Sequence, residues 1–125
     1  MDMQSLYERL GRAEGIATLV DDIVGRHMEN PAISARFRPY AEDPARLEKV
    51  KGHLRDFLAA GSGGPSDYTG RSMPEAHRGM NISVAEYMAA VDDIMDALEG
   101  NGVEESARKD VLAISYSLKD EIVRV

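Results

Sequence analysis

Apolar residues recur at helical spacing along nearly the whole chain, and this pattern constrains the fold more than any other feature. In the segment 45–60, apolar residues three or four positions apart form one stripe, made of Leu47, Val50, Leu54, Phe57 and Leu58. A second strongly periodic segment follows Ser83 and runs from Val84 to Leu98. No segment shows the alternation that is typical of a strand. The sequence therefore predicts an all-α protein.

Capping residues and glycines divide this pattern into separate helices. Ser5 and Glu8 have the spacing of a capping box, and Gly11 is expected to end the first helix, over 5–10. Longer helices are predicted over 14–29, 45–60, 83–98 and 104–125, with single helical turns over 32–37 and 74–78. A loop with two prolines is predicted over 38–44. In the last helix, Leu112 and Tyr116 are expected to face mostly inward.

Length and charge narrow the class of protein. A chain of 125 residues predicts one domain, residues 1–125. The net charge of −7, with acidic and basic residues interspersed, argues against nucleic acid and anionic membranes as partners. No apolar run approaches the roughly 18 residues of a membrane span, and MDMQSLYERL does not resemble a signal peptide, so a cytoplasmic location is expected. The lack of cysteine excludes disulfides and thiolate ligands.

The segment 73–80, Met-Pro-Glu-Ala-His-Arg-Gly-Met, carries the first candidate functional residue, His77. It follows the glycine-rich stretch 61–70, and upstream of both lies an apolar helical stripe that carries His53. A histidine presented in this way can offer one nitrogen to a planar iron cofactor. The residues alone leave open the alternative that His77 is a loop histidine without a functional role.

Hydrolytic chemistry has no support in the sequence. There is no nucleophile elbow and no HExxH pair. The carboxylates occur as adjacent pairs, and adjacent side chains do not share a helix face. These pairs are therefore predicted to be solvated surface: Asp21–Asp22, Asp92–Asp93 and Glu104–Glu105.

The sequence resembles the group I truncated haemoglobins, short globins that fold two helices over two, from Leu6 to about Ile122. The resemblance rests on LYERLG near the start, on Phe37, and on FLAAGSGGPSDYTGRSM running into AHRGMNIS. Gly63–Gly64 match the family's two-glycine loop, and Gly79 matches its later glycine. The resemblance implies a two-over-two helical sandwich around haem b, with His77 as the proximal iron ligand and Phe37 packed on the haem.

A haem also needs an apolar slot and cations for its propionates. One wall of the slot is expected from Val50, Leu54, Phe57 and Leu58, and the other from Met73, Ile82, Tyr87 and Met88. Simple core packing is the alternative for each of these residues. Ile23 and Val24 are expected at the distal pocket. The propionate candidates are Arg78 and the Tyr68 hydroxyl, followed by Arg46, Lys49 and Arg71.

The sequence departs from the family pattern on the distal side. Val24 replaces the usual tyrosine, and Val50 and Leu54 replace the usual glutamines, so none of the three can donate a hydrogen bond to a bound gas. Losing such a donor costs about 1.5–3 kcal/mol, so tight O₂ storage and NO dioxygenation by the usual residues are not expected. His27, in the apolar stripe of the second helix, is predicted to be a core histidine bonded to a backbone carbonyl rather than a distal donor.

His53 matches a position at which some family members, notably cyanobacterial ones, carry a histidine that binds iron. We therefore predict a hexacoordinate iron held by His77 and reversibly capped by His53, which suits redox chemistry or gated binding of NO, CO or O₂. A reductase is a further candidate partner. A non-enzymatic role is favoured over detoxification of NO or reactive species.

Two alternatives differ from this prediction. If His53 points outward to a propionate or to water, the protein is a five-coordinate O₂ or NO carrier or sensor with an open apolar pocket. If no haem binds, the chain is a helical interaction module that has kept the fold.

Overall fold

The computed structural model describes residues 4–64 and 72–125, and within these ranges the chain is helical without any strand. Tyr68 and Arg71, two of the predicted propionate contacts, lie outside the described residues. In chain order, the helices are α1 Leu6–Arg9, α2 Arg12–Glu29, α3 Ser34–Ala41, α4 Pro44–Gly61, α5 Met73–His77, α6 Val84–Gly100, α7 Glu105–Ser117 and α8 Lys119–Ile122. The prediction of an all-α fold is confirmed.

Side-chain caps begin several helices where the sequence predicts them. The Ser5 hydroxyl accepts a hydrogen bond from the backbone N–H of Glu8 at 3.2 Å, and the Glu8 carboxylate accepts one from the N–H of Ser5 at 3.3 Å. Ser83 and Glu86 form the same capping box at the start of α6. α2 begins at Arg12 rather than Glu14, because the positive φ of Gly11 lets the chain turn directly from α1 into α2.

The predicted proline loop over 38–44 is wrong in its first half. α3 continues through Pro39 to Ala41, although a proline inside a helix lacks the N–H that would bond to Ala35. Phe37 and Tyr40 lie in this helix, and α3 packs against both α2 and α4. These tertiary contacts stabilise a helix that the local sequence disfavours.

The C-terminal helix also differs from its prediction, because it divides at Leu118 into α7 and α8. The N–H of Leu118 is shared between the carbonyls of Ile114 and Ser115, which tightens the last turn of α7. Leu112 and Tyr116 are 40% and 62% exposed, so the expectation that they face inward is wrong. The inward face of α7 passes instead through the residues one position before each of them.

The core lies where α2 crosses α4 and α6, and where α6 packs on α7. This arrangement gives two helix pairs, α2 with α4 and α6 with α7, stacked through α2 and α6. Ala97 and Ala107 are fully buried, and their small side chains let α6 and α7 approach closely. The apolar core residues of α2 are Ile16, Leu19, Val20, Ile23 and Val24.

The two-glycine loop after α4 fixes the end of that helix against α1. The N–H of Tyr7 donates to the carbonyl of Ser62 at 2.9 Å, and the N–H of Gly64 donates to the carbonyl of Ala59 at 2.8 Å. Gly63 has a φ of +87°, and a Cβ on Gly64 would lie 2.2 Å from the Tyr7 ring. Gly63 therefore provides the turn, and Gly64 provides the close approach.

No helix in the described part of the chain has the length and apolar character needed to cross a membrane.

Candidate functional site

His77 is the last residue of α5, and the backbone of its own helix orients its ring. Ser72 caps this helix by accepting a hydrogen bond from the N–H of Glu75 at 3.3 Å. The Nδ1 atom of His77 lies 2.8 Å from the carbonyl oxygen of Met73. A carbonyl oxygen only accepts hydrogen bonds, so Nδ1 carries a proton and the neutral ring keeps a lone pair on Nε2. An axial haem ligand requires this tautomer.

The apolar stripe of α4 is only partly covered by the rest of the protein. No residue of this 18-residue helix is buried, and its predicted wall residues are all half-buried: Val50, Leu54, Phe57 and Leu58. The apolar face of α2, by contrast, is buried in the core. An apolar stripe left accessible beside another helix is what an apolar ligand of large area needs. Leu54 and Leu58 also pack against the core. The stripe therefore combines core contacts with partly exposed apolar surface of the kind that a haem would cover.

The second predicted wall consists of a buried layer and a half-buried layer. Ile82 and Tyr87 are buried in a cluster with Val91 and Ile122. Met73 and Met88 are half-buried and pack against that cluster. Met73 and Met88 are therefore more accessible to a ligand than the buried residues against which they pack.

Tyr87 has the packing role that the sequence left open as the alternative. Its hydroxyl donates a hydrogen bond to the carbonyl of Ser115, which ties α6 to α7. Burial raises the pKa of the Tyr87 hydroxyl. Because its polar atom has a partner in α7, this side chain acts first as a link between the two helices.

Phe37 is half-buried in α3 and belongs to a row of rings. Its ring centroid lies 5.2 Å from that of His27 and 6.3 Å from that of Tyr40. The guanidinium of Arg46 lies 4.8 Å from the centre of the Tyr40 ring, a cation–π distance. The row therefore runs from a buried histidine through Phe37 to an exposed arginine, which is one of the propionate candidates.

The predicted distal residues lie in two different environments. Ile23 and Val24 are buried in the core, with Val24 among its most fully covered side chains. His53 lies on α4 between Val50 and Leu54, but its side chain is exposed. On the proximal side, Arg78 directly follows α5 and is also exposed.

His27 has a partner that the sequence analysis missed. The His27 ring is buried, but its Nδ1 donates to the Asp93 carboxylate at 2.8 Å rather than to a backbone carbonyl, so the predicted partner is wrong. Asn30 donates from Nδ2 to both oxygens of the same carboxylate, at 3.2 and 3.1 Å. With a side chain 13% exposed, Asp93 is not the solvated surface residue that was predicted. Asp93 lies one helical turn before Ala97, so it shares the buried face of α6, but no sequence pattern links it to His27.

A second carboxylate on α6 holds the neighbouring helix α3. Glu86 pairs with Arg36 through two contacts, Nε to Oε2 at 2.5 Å and a terminal nitrogen to Oε1 at 3.1 Å. The Arg36 guanidinium, together with the backbone of Ser83, lowers the pKa of Glu86 to about 2. Glu86 and Asp93 are seven residues apart, so both lie on the face of α6 that meets α2 and α3.

Comparisons with known proteins define the class of the chain first. The model of the bacterial-like globin family matches residues 5–124. The described fold agrees, because truncated haemoglobin from Tetrahymena pyriformis, in its Fe(III) form, superposes with a TM-score of 0.89. That likeness covers 98% of this chain and 100% of the other at 22% sequence identity, so it supports the fold alone. The protein is therefore a haem-binding globin.

Two relatives define the family of the chain more narrowly. A group 1 truncated haemoglobin of Tetrahymena thermophila is 38% identical over 101 residues, which cover 81% of this chain and 79% of the relative. One from Mycolicibacterium paratuberculosis is 28% identical over 118 residues, covering 94% and 83%. The chain belongs to the group I truncated haemoglobin family, and the predicted family and two-over-two fold are confirmed.

Proposed function

We propose that this globin binds haem b beside α4 with Nε2 of His77 as the proximal ligand, and that it binds diatomic gases. The observation that carries the proposal is the hydrogen bond from His77 to the Met73 carbonyl, which keeps a lone pair on Nε2 and so supports ligation through that atom. The bound haem would supply an iron centre for gas binding and electron transfer. The half-buried side chains proposed to contact it are Phe37, Val50, Leu54, Phe57, Leu58, Met73 and Met88.

The remaining contacts follow from position in the chain. Ile82 would support the proximal wall beneath Met73, because both belong to the same packed cluster. Exposed Arg78 follows His77 directly, so we propose it as a propionate partner. Tyr68 stays a prediction for a second propionate contact.

The distal side would be apolar. Ile23, Val24, Val50 and Leu54 offer no side-chain hydrogen-bond donor to a bound gas. Bound O₂ on ferrous iron carries partial negative charge, and one lost donor to such a group lowers affinity by about ten- to a hundredfold. NO and CO depend less on such a donor, so the apolar pocket favours them relative to O₂.

His53 is our candidate for a reversible sixth ligand. It lies on α4 between Val50 and Leu54, which cannot themselves bind iron. Because its side chain is exposed, ligation requires an inward movement, and an incoming gas then competes with the histidine. Such competition lowers the apparent gas affinity by the fraction of protein in the open form. This gating suits redox chemistry, or NO detoxification with a reductase.

The same exposure favours a second candidate function. If His53 stays outside the pocket, the iron is five-coordinate and the protein is an O₂ or NO carrier or sensor. The two candidates differ in one property, which is the coordination number of the resting iron.

The absorption spectrum of the reduced, haem-loaded protein separates them. For the six-coordinate candidate we expect sharp low-spin bands that become a broad high-spin spectrum in His53→Ala. Glu48→Ala, which removes another exposed side chain of α4 that is not a proposed haem contact, should leave the bands unchanged. A high-spin spectrum already present in the native protein would exclude ligation by His53 and support the five-coordinate candidate. No Soret band after addition of haem would overturn both and revive the haemless interaction module.

A further inference from the structure

We propose that His27, Asp93 and Asn30 form a positioning unit for Phe37, and so for one contact surface of the haem. The inference rests on the proposed function, in which Phe37 packs against the haem. It assigns a role to a polar cluster, made of buried His27 and half-buried Asn30 and Asp93, that no step of gas binding uses. The unit joins the end of α2 to the middle of α6, and α3 follows directly along the chain.

The first link runs from Asp93 through the His27 ring. A carboxylate only accepts hydrogen bonds, so Nδ1 of His27 donates to Asp93 whatever the charge of the ring. This bond fixes the rotation of an imidazole that lies 5.2 Å from the Phe37 ring, at an angle of 37°. Without the carboxylate the imidazole can turn, and the surface that supports Phe37 changes.

The second link runs from Asp93 through the backbone. Nδ2 of Asn30 donates to both Asp93 oxygens, while its Oδ1 accepts from the N–H of Ala32 at 3.0 Å. The carbonyl of Asn30 accepts from the N–H groups of Ile33 and Ser34, at 3.0 and 2.7 Å. The turn that begins α3 is therefore built on Asn30, which in turn is held by Asp93. Phe37 lies about one helical turn beyond Ser34, the first residue of α3.

The energetics favour a role in geometry over a role in stability alone. The His27 and Asp93 side chains are 9% and 13% exposed, and removing polar groups from water is costly even when they are paired. Apolar side chains of similar volume could join α2 to α6 at lower cost. A hydrogen-bonded pair, however, holds a ring in one orientation, which apolar contact does not. The Arg36–Glu86 pair holds the residue next to Phe37 against the same helix.

Asp93→Asn tests the inference, with Asp92→Asn as the matched control on an exposed neighbour. Haem loss to an excess of a haem acceptor protein should become about tenfold faster in Asp93→Asn and stay unchanged in the control. In the ferric cyanide-bound protein, the hyperfine-shifted haem methyl and Phe37 ring signals should move in Asp93→Asn alone. Unchanged NMR signals and unchanged haem loss would overturn the inference.

Two further variants would distinguish a positioning role from a general loss of stability. Val103→Ala removes a buried contact at the α6–α7 turn. If it speeds haem loss as much as Asp93→Asn for the same loss of unfolding free energy, the positioning role is wrong. In a Phe37→Leu background, Asp93→Asn should add less than a twofold change, because the positioned ring is gone. A full tenfold effect there would contradict the inference.

Failure of the proposed function would have a different signature. If the native protein takes up no haem, NMR of the haem-free protein tests the unit directly. The nuclear Overhauser contacts between the His27 and Phe37 rings should weaken in Asp93→Asn and persist in Asp92→Asn. Contacts that persist equally in both variants would overturn the positioning role whether or not haem binds.

Discussion

One hydrogen bond decides which nitrogen of His77 can bind iron. Its Nδ1–H donates to the Met73 carbonyl, so removal of the imidazole leaves both a cavity and a carbonyl that can receive a replacement ring. For His77→Gly, which removes the proposed ligand itself, we expect haem loss to become at least about a hundredfold faster. Losing only a hydrogen-bond partner of a metal ligand usually has a smaller effect. Added imidazole should restore the native Soret spectrum by occupying the cavity.

The measurement is an absorption titration with imidazole, with His53→Ala as the second histidine variant. A native spectrum in His77→Gly before imidazole is added would show that another residue is the proximal ligand.

Two glycines at the end of α4 should respond oppositely to alanine. A Cβ at Gly64 would lie 2.2 Å from the Tyr7 ring, so Gly64→Ala should lower the free energy of unfolding by about 1–3 kcal/mol. A Cβ at Gly61 meets nothing within 4 Å, and alanine there should raise the free energy of unfolding by roughly 0.5–1 kcal/mol. Urea unfolding of both variants checks the pair. A neutral Gly64→Ala would mean that the Tyr7 ring moves aside without cost.

At the scale of helices, the Arg36–Glu86 pair predicts a defined pH dependence. Folding lowers the pKa of Glu86 from 4.5 to about 2, because Arg36 stabilises the carboxylate. The folded state therefore gains stability from this group above about pH 4.5, and loses that gain as the pH falls from there towards 2. In Glu86→Gln, acid unfolding curves should decline less steeply in this window. Equal slopes in both proteins would show that the pair does not stabilise the fold.

Local signals predicted the helices well where their causes are local. Ser5 and Ser83 begin their helices as capping boxes, because the cap and its partner are three residues apart. The signal at Pro39 is also local, and it failed because ring contacts with other elements stabilise α3.

In the candidate site, too, local contacts could be predicted from the sequence and long-range contacts could not. The tautomer of His77 depends on a carbonyl four residues away in its own helix. The partner of His27 lies 66 residues along the chain, where no pattern in one sequence connects the two. The family resemblance supplied the proposed role of Phe37, but the contacts around that ring come only from the fold.

At the scale of the whole molecule, haem binding should couple to folding. α4 contributes no buried residue, so haem would cover apolar surface that the protein alone leaves partly open. At a haem concentration about 1,000 times the dissociation constant, binding adds about 4 kcal/mol to the free energy of unfolding. For a domain of this size, that corresponds to a rise in Tm of roughly 10–20 °C.

Circular dichroism melts of the haem-free and haem-loaded protein measure this rise, and His77→Gly should reduce it. Identical melting temperatures would contradict the proposal that the stripe of α4 lines the haem site.

The Met73 carbonyl that accepts a hydrogen bond from His77 would also affect the electronic character of an iron bound to that ring. A carboxylate in that place would draw the proton away and make the imidazole a stronger electron donor. A neutral carbonyl draws it less, so an iron bound to His77 would receive less electron density. Weak donation raises the reduction potential of a haem, since the ferric state depends more than the ferrous state on electron density from the ligand. With His77 as the proposed proximal ligand, the short helix α5 would thus favour iron in its reduced form, the form that binds O₂ and CO.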